Sequence, residues 1–235
     1  MKLSIIIPCY NEADNISLLL KSYATAITRD DIEVVLVNNG STDNTASVLN
    51  NLSAQYQNFL SVVNIPINQG YGHGILTGLK SARGTFIGWS HGDMQTPPED
   101  VIRALTLIEE NGYKPNLYIK GRRVDRPLID QFFTSGMSLF ETIYLGTPLS
   151  DINAQPNIFH RSFLNTWKNP PNDFALDLYV LYLAKKQNLK IIRFTVPFLK
   201  RAHGSSKWNT GIFSKWKFIK RTLQFSFILK KEHLL

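Results

Sequence analysis

Four apolar runs mark the first half of the chain: LSIIIP (3–8), IEVVLV (32–37), LSVVNI (60–65) and GTFIGWS (84–90). Each is short, rich in β-branched residues and free of regular polar alternation. That pattern predicts strands buried on both faces, as in a parallel sheet. Between the runs the apolar spacing becomes helical. Ile16, Leu19, Leu20, Tyr23 and Ile27 share one helix face, with Asn11 as the expected N-cap. STDNTASVLNNL (41–52) opens on the capping residue Ser41, and GYGHGILTGLKSA (70–82) is glycine-rich and then helical. The order β-α-β-α-β-α-β-α predicts a doubly wound α/β layer with right-handed crossovers.

Beyond Pro115 the elements are less regular. NLYIKG (116–121), PNIFH (156–160) and KIIRFTVPFL (190–199) read as strands. DQFFTSGMSLFETIYLG (130–146) reads as a helix with an aromatic face, and DFALDLYVLYLAKKQNL (173–189) as another helix. No repeat or low-complexity linker interrupts them. The expected organisation is one α/β domain over 1–210, with a nucleotide-binding half (1–110) and an acceptor half (111–210). A basic amphipathic helix over 211–235 follows.

Composition changes this picture in two places. At 43% hydrophobic and 19% charged, the 235 residues can bury a substantial core. The single cysteine, Cys9, excludes an internal disulfide and fits a reducing compartment. The net charge is +8, and from Lys200 onward nine basic residues face one acid, Glu232, so the tail carries the whole excess. Ile212, Trp216, Ile219, Leu223 and Phe227 lie at helical spacing among those lysines. This suits a helix lying on an anionic membrane surface. The plainer reading is a terminal helix packed on the core with its lysines in water. The balanced charge of residues 1–199 and the lack of a nucleic-acid motif argue against nucleic acid as the partner. LSIIIP is too short for a signal peptide, and no apolar run approaches the roughly 20 residues of a membrane span. A cytoplasmic protein, peripheral at the inner face of the membrane, is the expectation.

Ligands of open α/β sheets collect at the carboxyl ends of the strands. Here those ends read PCYNE, NNGSTD, NQGYGHG and SHGDMQ. They supply the candidate binding residues Pro8, Tyr10, Asn11, Glu12, Asn39, Ser41, Asn68, Gly70, Gly72, Gly92 and Asp93. Caps and turns explain any one of these stretches, but not all four together. In HGDMQTPPE (91–99), an extended backbone would point His91 and Asp93 the same way, with Gln95 following if the strand continues. Gly92 would let the backbone approach a ligand closely. A hydrogen-bonded turn is the alternative role for His91. Thr96 as N-cap, Pro97 at the first helical position and Glu99 at the third read as a capping box.

These motifs, in this order, resemble the family 2 glycosyltransferases with a GT-A fold. Within them the chain is similar to dolichyl-phosphate mannose synthase-like bacterial sugar transferases. IIIPCYNE, LVNNGSTDNT, NQGYGHGILTGLKSARG, HGDMQTPPE and RAHGSSKW (201–208) carry the resemblance, which covers nearly the whole chain. It implies a mostly parallel central sheet flanked by helices. It also implies transfer of a sugar, with inversion, from a nucleotide-diphosphate donor to a lipid-linked or glycan acceptor of the bacterial envelope. The resemblance assigns Asp93, His91, Gln95 and His203 to a Mn2+ or Mg2+ ion, and Arg201 and Lys207 to the diphosphate. Arg122, Arg123 and Arg126 are further cations. Asp151 and Asp177 are the candidate general bases if the acceptor is a hydroxyl. A lipid phosphate is already ionised and needs no base.

Two departures from the family pattern carry information. The paired aspartates of the second strand are Asn38 and Asn39 here. A guanine edge presents two adjacent donors and favours a carboxylate, whereas an amide pairs with the N3–H and carbonyl of uracil or thymine. A UDP- or dTDP-sugar is therefore the expected donor. His91 replaces the first aspartate of the metal segment, which lowers its negative charge and shifts preference from magnesium toward manganese. Metal is expected to bind only together with the donor's phosphates. The competing reading is a nucleotide-sugar-binding protein of the same fold that has lost catalysis.

Overall fold

The computed structural model describes residues 1–124, 128–199 and 212–232. Seven strands form one sheet: β1 (Leu3–Cys9), β2 (Ile32–Asn39), β3 (Leu60–Ile65), β4 (Phe86–Trp89), β5 (Leu117–Val124), β6 (Asn157–His160) and β7 (Lys190–Pro197). Their order is β3-β2-β1-β4-β6-β5-β7. All neighbours are parallel except β6, which runs antiparallel to both β4 and β5. The helices are α1 (Ala13–Ala26), α2 (Thr45–Ser53), α3 (Tyr71–Ser81), α4 (Pro98–Glu110), α5 (Leu128–Leu145), α6 (Arg161–Leu164), α7 (Leu176–Lys186) and α8 (Ile212–Glu232).

Two-sided burial explains the continuous apolar runs. On β1, Ile5 and Ile7 pack with Ile16, Leu19 and Leu20 of α1 and Leu105 of α4. Ile6, between them, points the other way, into a cluster with Ile75 and Leu79 of α3 and Leu176 and Val180 of α7. Successive residues of a strand face opposite sides. With helices on both faces, β1 and β2 are apolar until the strand ends except at Ser4 and Glu33, which are hydrogen-bonded to each other at 2.6 Å. Each of these fully buried aliphatic side chains contributes about 1.5–3 kcal/mol by leaving water.

Three predicted helix starts are corrected. Asn11 is not the cap of α1. The helix begins at Ala13 with Glu12 at the cap position, and Asn11 itself sits at φ 56°. Ser41 is not the cap of α2, which begins at Thr45 behind Asn44. The capping box over 96–99 is absent. Pro97 is extended at ψ 141° and α4 starts on Pro98, with no side-chain cap. The cause is the second proline, which drives the residue before it out of the helical region. Thr96 is buried instead.

On α8, Thr222, Ser226 and Leu229 are buried. Phe227, on the apolar stripe of the tail pattern, is 55% exposed. Among the described residues, no helix is long and apolar enough to cross a membrane.

Candidate active site at the carboxyl ends of the strands

The first two strand ends are knitted together by side chains that the sequence offered as caps. The Asn11 backbone N–H donates to Ser41 Oγ at 3.0 Å, and Thr42 N–H donates to Asn11 Oδ1 at 2.8 Å. Glu12 N–H donates to Thr45 Oγ1 at 3.0 Å, and the Glu12 carboxylate accepts from Asn15 Nδ2 at 2.6 Å. Short polar side chains satisfy backbone groups here that neither helix can pair. Pro8, next to last in β1, and Tyr10, just beyond the strand, are both half-buried.

Asn38 and Asn39 end β2, both buried. Asn38 donates to Asn64 Oδ1 and accepts from Ser41 N–H. Asn39 donates to the Gly70 carbonyl at 2.9 Å, while its Oδ1 is buried without a hydrogen-bond donor. An orphaned buried acceptor is costly unless something pairs it. Asn68 Oδ1 accepts from Gly70 N–H at 2.8 Å. Gly70 stands at φ +115°, and a Cβ there would lie 2.3 Å from the Asn172 carbonyl oxygen. A Cβ on Gly72 would lie 2.4 Å from the Pro171 carbonyl oxygen. These glycines thus admit the loop before α7 at close range. A Cβ on Gly92 would lie 3.2 Å from Ile7 and 3.4 Å from Cys9 of β1.

The segment after β4 is a turn, not a continued strand. The strand ends at Trp89, and Met94 takes φ 62°. The extended geometry expected for His91, Asp93 and Gln95 is therefore absent. Asp93 is buried, and its Oδ1 accepts from Gln95 N–H at 3.1 Å. The Gln95 side chain donates to the Leu199 carbonyl at 3.0 Å, which ties this turn to the end of β7. Half-buried His91 lies near enough to Asp177 for its charge to favour the ionised carboxylate. Among the described residues, no group of three or more His, Cys, Asp or Glu could hold a metal ion by itself. The imidazole and carboxylate of His91 and Asp93 still fit a borderline divalent ion, provided phosphate oxygens complete its shell. His203, Arg201, Lys207 and Arg126 lie outside the described residues.

Asp177, at the start of α7, forms the floor of the site. It is 2% exposed. Its Oδ1 accepts from Trp89 Nε1 at 3.1 Å and from Gln155 Nε2 and Asn157 Nδ2, each at 3.2 Å. Burial raises its pKa, against the pull of Lys120, His91 and these donors. Lys120, wholly buried on β5, donates to the Ile152 and Ala154 carbonyls and to Asn157 Oδ1 at 2.7–2.9 Å. Burial lowers its pKa to about 7, against the charges of Asp177 and Asp151. Tyr71, at the start of α3, accepts from Gln155 Nε2 at 3.1 Å and stacks on Phe174 at 4.6 Å. Burial, then the charges of Asp177 and Asp93, push its hydroxyl well above the usual tyrosine range. Gln155 thus bridges Tyr71 and Asp177, donating to both.

Asp151 sits apart from this group, at φ 40°. It accepts from Arg123 N–H at 2.7 Å and Nε at 2.8 Å, and also from Nη2. Burial raises its pKa, but the Arg123 charge and hydrogen bonds outweigh that and hold it below the ordinary range. A carboxylate so paired is a weak base. Arg193 of β7 donates to the Ser150 carbonyl at 2.7 Å, beside exposed Arg122. This edge of the sheet is therefore cationic. Trp89, Tyr71, Lys120, Gln155, Asn157 and Arg193 were not singled out from the sequence. For Tyr71 a signal existed, since it stands inside NQGYGHG. The others lie in or next to strands and look like packing residues.

A largely parallel seven-stranded sheet with carboxylates at the carboxyl ends of its strands defines the GT-A class of fold. Residues 4–165 match the glycosyl transferase family 2, and the chain belongs to that family. It is 32% identical over 212 residues to an undecaprenyl-phosphate 4-deoxy-4-formamido-L-arabinose transferase of Photorhabdus laumondii, covering 88% of this chain and 63% of that protein. It is 27% identical over 214 residues to a dolichol-phosphate mannosyltransferase of Pyrococcus furiosus, covering 88% and 59%. The chain thus spans less than two thirds of these curated relatives. Among solved structures, glucosyl-3-phosphoglycerate synthase of Mycobacterium tuberculosis, in complex with Mn2+, UDP and glucosyl-3-phosphoglycerate, superposes with a TM-score of 0.70. The identity is 15%, over 97% of this chain and 79% of that one.

Proposed function

We propose that the protein transfers a sugar, with inversion, from a UDP- or dTDP-sugar to a polyprenyl phosphate in the synthesis of a cell-envelope glycolipid or polysaccharide. Two buried carboxylates carry the reading: Asp93, just beyond β4, and Asp177 of α7, which the last residue of β4, Trp89, hydrogen-bonds. The buried, unpaired Oδ1 of Asn39 supports a pyrimidine base, because it can accept the N3–H of uracil or thymine. His91 and Asp93 would hold Mn2+ or Mg2+ together with the donor diphosphate. That ion would offset the negative charge growing on the leaving phosphate. The names of the two curated relatives support a lipid phosphate as acceptor. So does the cationic edge of Arg122, Arg123 and Arg193, where Asp151 holds Arg123 in place. Such an acceptor attacks as an anion. Asp177, whose Oδ2 is not used by its three donors, is the base if the acceptor is a hydroxyl.

The test is transfer of labelled sugar to undecaprenyl phosphate with Mn2+, across UDP-, dTDP- and GDP-sugars. Product from a uridine or thymidine donor, abolished in Asp93→Ala, is expected. Product only from a GDP-sugar would overturn the donor assignment. Donor binding without turnover on any acceptor would favour the binding-protein alternative.

A further inference from the structure

Lys120 is a cation in the middle of an apolar strand. It follows Leu117, Tyr118 and Ile119 on β5 and is wholly buried. Successive strand residues alternate in direction, so it faces the same side as Tyr118, which packs in the cluster that contains α7. A methionine of similar length would fill this space with no charge to bury, and apolar replacement of buried ions is often neutral or stabilising. Packing therefore gives no reason for a lysine here. Its hydrogen bonds do. Nζ donates to the Ile152 carbonyl at 2.7 Å, the Ala154 carbonyl at 2.9 Å and Asn157 Oδ1 at 2.7 Å. The first two fasten the turn that follows Asp151 to β5. The third fixes an amide.

Asn157 Oδ1 also accepts from the Tyr118 hydroxyl at 2.7 Å. With two donors on its oxygen, the amide has one allowed orientation. A reversed Asn157 would set its own N–H groups against the Lys120 ammonium, which has no acceptor. Nδ2 therefore points to Asp177 Oδ1 at 3.2 Å and to Gln155 Oε1 at 2.8 Å. The bond to Gln155 fixes the second amide in turn. Its Nε2 donates to the same Asp177 Oδ1 at 3.2 Å and to the Tyr71 hydroxyl at 3.1 Å. Trp89 Nε1 is the third donor to that oxygen. Two of the three donors on Asp177 Oδ1 thus take their direction from Lys120, and Oδ2 lies outside the network. Gln155 and Asn157 are both buried, so water cannot stand in for either amide.

We infer that Lys120 is a positioning residue of the transfer: by holding Asn157 Oδ1 it directs the Asn157 and Gln155 amides onto Asp177 Oδ1, and so leaves Oδ2 as the oxygen offered to substrate. The inference deepens the proposed transferase reading and rests on it for the role of Asp177. Lys120 itself is too deeply buried to touch a substrate and acts through the two amides. Its charge works in the same direction, since it favours the ionised form of Asp177 against the effect of burial. The same Nζ holds the turn after Asp151, the partner of Arg123. One buried ammonium therefore anchors both the carboxylate of the floor and the cationic edge. Displacing a reacting group by about 1 Å costs about a hundredfold in rate, so a remote anchor of this kind is visible in turnover.

The test uses Lys120→Met and Asn157→Asp in the full chain, with UDP-sugar, Mn2+ and undecaprenyl phosphate. Turnover is expressed per donor-binding site counted by calorimetry, so unfolded molecules do not enter. In both variants kcat should fall about 10–100-fold, with both KM values within about twofold of wild type. Asn157→Asp keeps an acceptor for Lys120 and Tyr118 but sets an oxygen against Asp177, so it decides the matter if Lys120→Met does not fold. An unchanged kcat in a folded variant overturns the inference, as does a loss confined to KM. Side-chain nitrogen NMR gives a second reading that needs no turnover. The Asn157 amide signals, identified by their loss in Asn157→Asp, should move in Asp177→Asn. Lys120 is the buried lysine among the described residues, and its shielded ammonium signal should move in Asn157→Asp. That signal is recorded about one unit below the pKa of about 7 to which burial brings it. If the wild type transfers no sugar while both signals move, the transferase reading falls and the hold on Asp177 stands. If transfer is intact and neither signal moves, the hold falls and the transferase reading stands.

Discussion

The Trp89 indole N–H donates to Asp177 Oδ1 at 3.1 Å, linking the last residue of β4 to the first turn of α7. Both side chains are buried, so the bond forms where water cannot replace it. Trp89→Phe keeps most of the volume and deletes the donor. A stability loss of about 1–3 kcal/mol is expected, measured by denaturant unfolding. If Asp177 acts in the reaction, kcat should fall while the donor KM stays near wild type. A variant that loses stability but keeps kcat would confine Asp177 to a structural role.

Glu141 should make stability depend on pH. Burial raises its pKa from 4.5 to about 7, against the hydrogen bond from Ser226. Between those values the folded state holds a proton that the unfolded state releases. Stability therefore falls as pH rises through this window, by up to about 3 kcal/mol. Glu141→Gln removes the charge, so it should flatten the profile and unfold at a higher temperature than wild type at pH values above the window. Calorimetric scans across the window measure both effects.

Asp151→Asn should act on the acceptor side. It deprives Arg123 of its carboxylate, and an interior arginine left with a neutral partner costs about 3 kcal/mol. The expected kinetic sign is a raised KM for the lipid phosphate with the donor KM unchanged. Equal loss on both substrates would place Asp151 in the chemistry instead.

Gly72→Ala tests the contact between the β3–α3 turn and the loop before α7. The new Cβ would lie 2.4 Å from the Pro171 carbonyl oxygen, and backbone cannot yield as a flexible side chain can. A loss of about 1–3 kcal/mol is expected on unfolding. Donor affinity in the fraction that remains folded should change little, since these atoms face protein.

Asn39→Asp should weaken both fold and donor binding. The amide that donates to the Gly70 carbonyl would become a second acceptor facing it, costing about 1–3 kcal/mol. Thermal shift should show a smaller response to UDP-sugars than wild type shows. An undiminished response would remove Asn39 from base recognition.

The apolar runs and their helical intervals determine the α/β layer, because two-sided burial keeps most positions of β1 and β2 apolar. The motif after the fourth strand likewise marks Asp93 without coordinates, whereas Asp177 came only from the family resemblance. Local rules failed where a tertiary contact competed for the same group. Asn11 and Ser41 are good caps by type, yet they bond across two loops that only the sheet brings together. The turn at Met94 redirects Gln95 toward Leu199, more than a hundred residues away. Asp151 and Asp177 look alike in sequence, but Arg123 depresses one and burial raises the other. The aromatic face of α5 was legible as a pattern, but not its direction. Periodicity states which residues share a face. Which face meets the core depends on the partner, and here the buried Glu141–Ser226 contact with α8 turns the aromatic side outward.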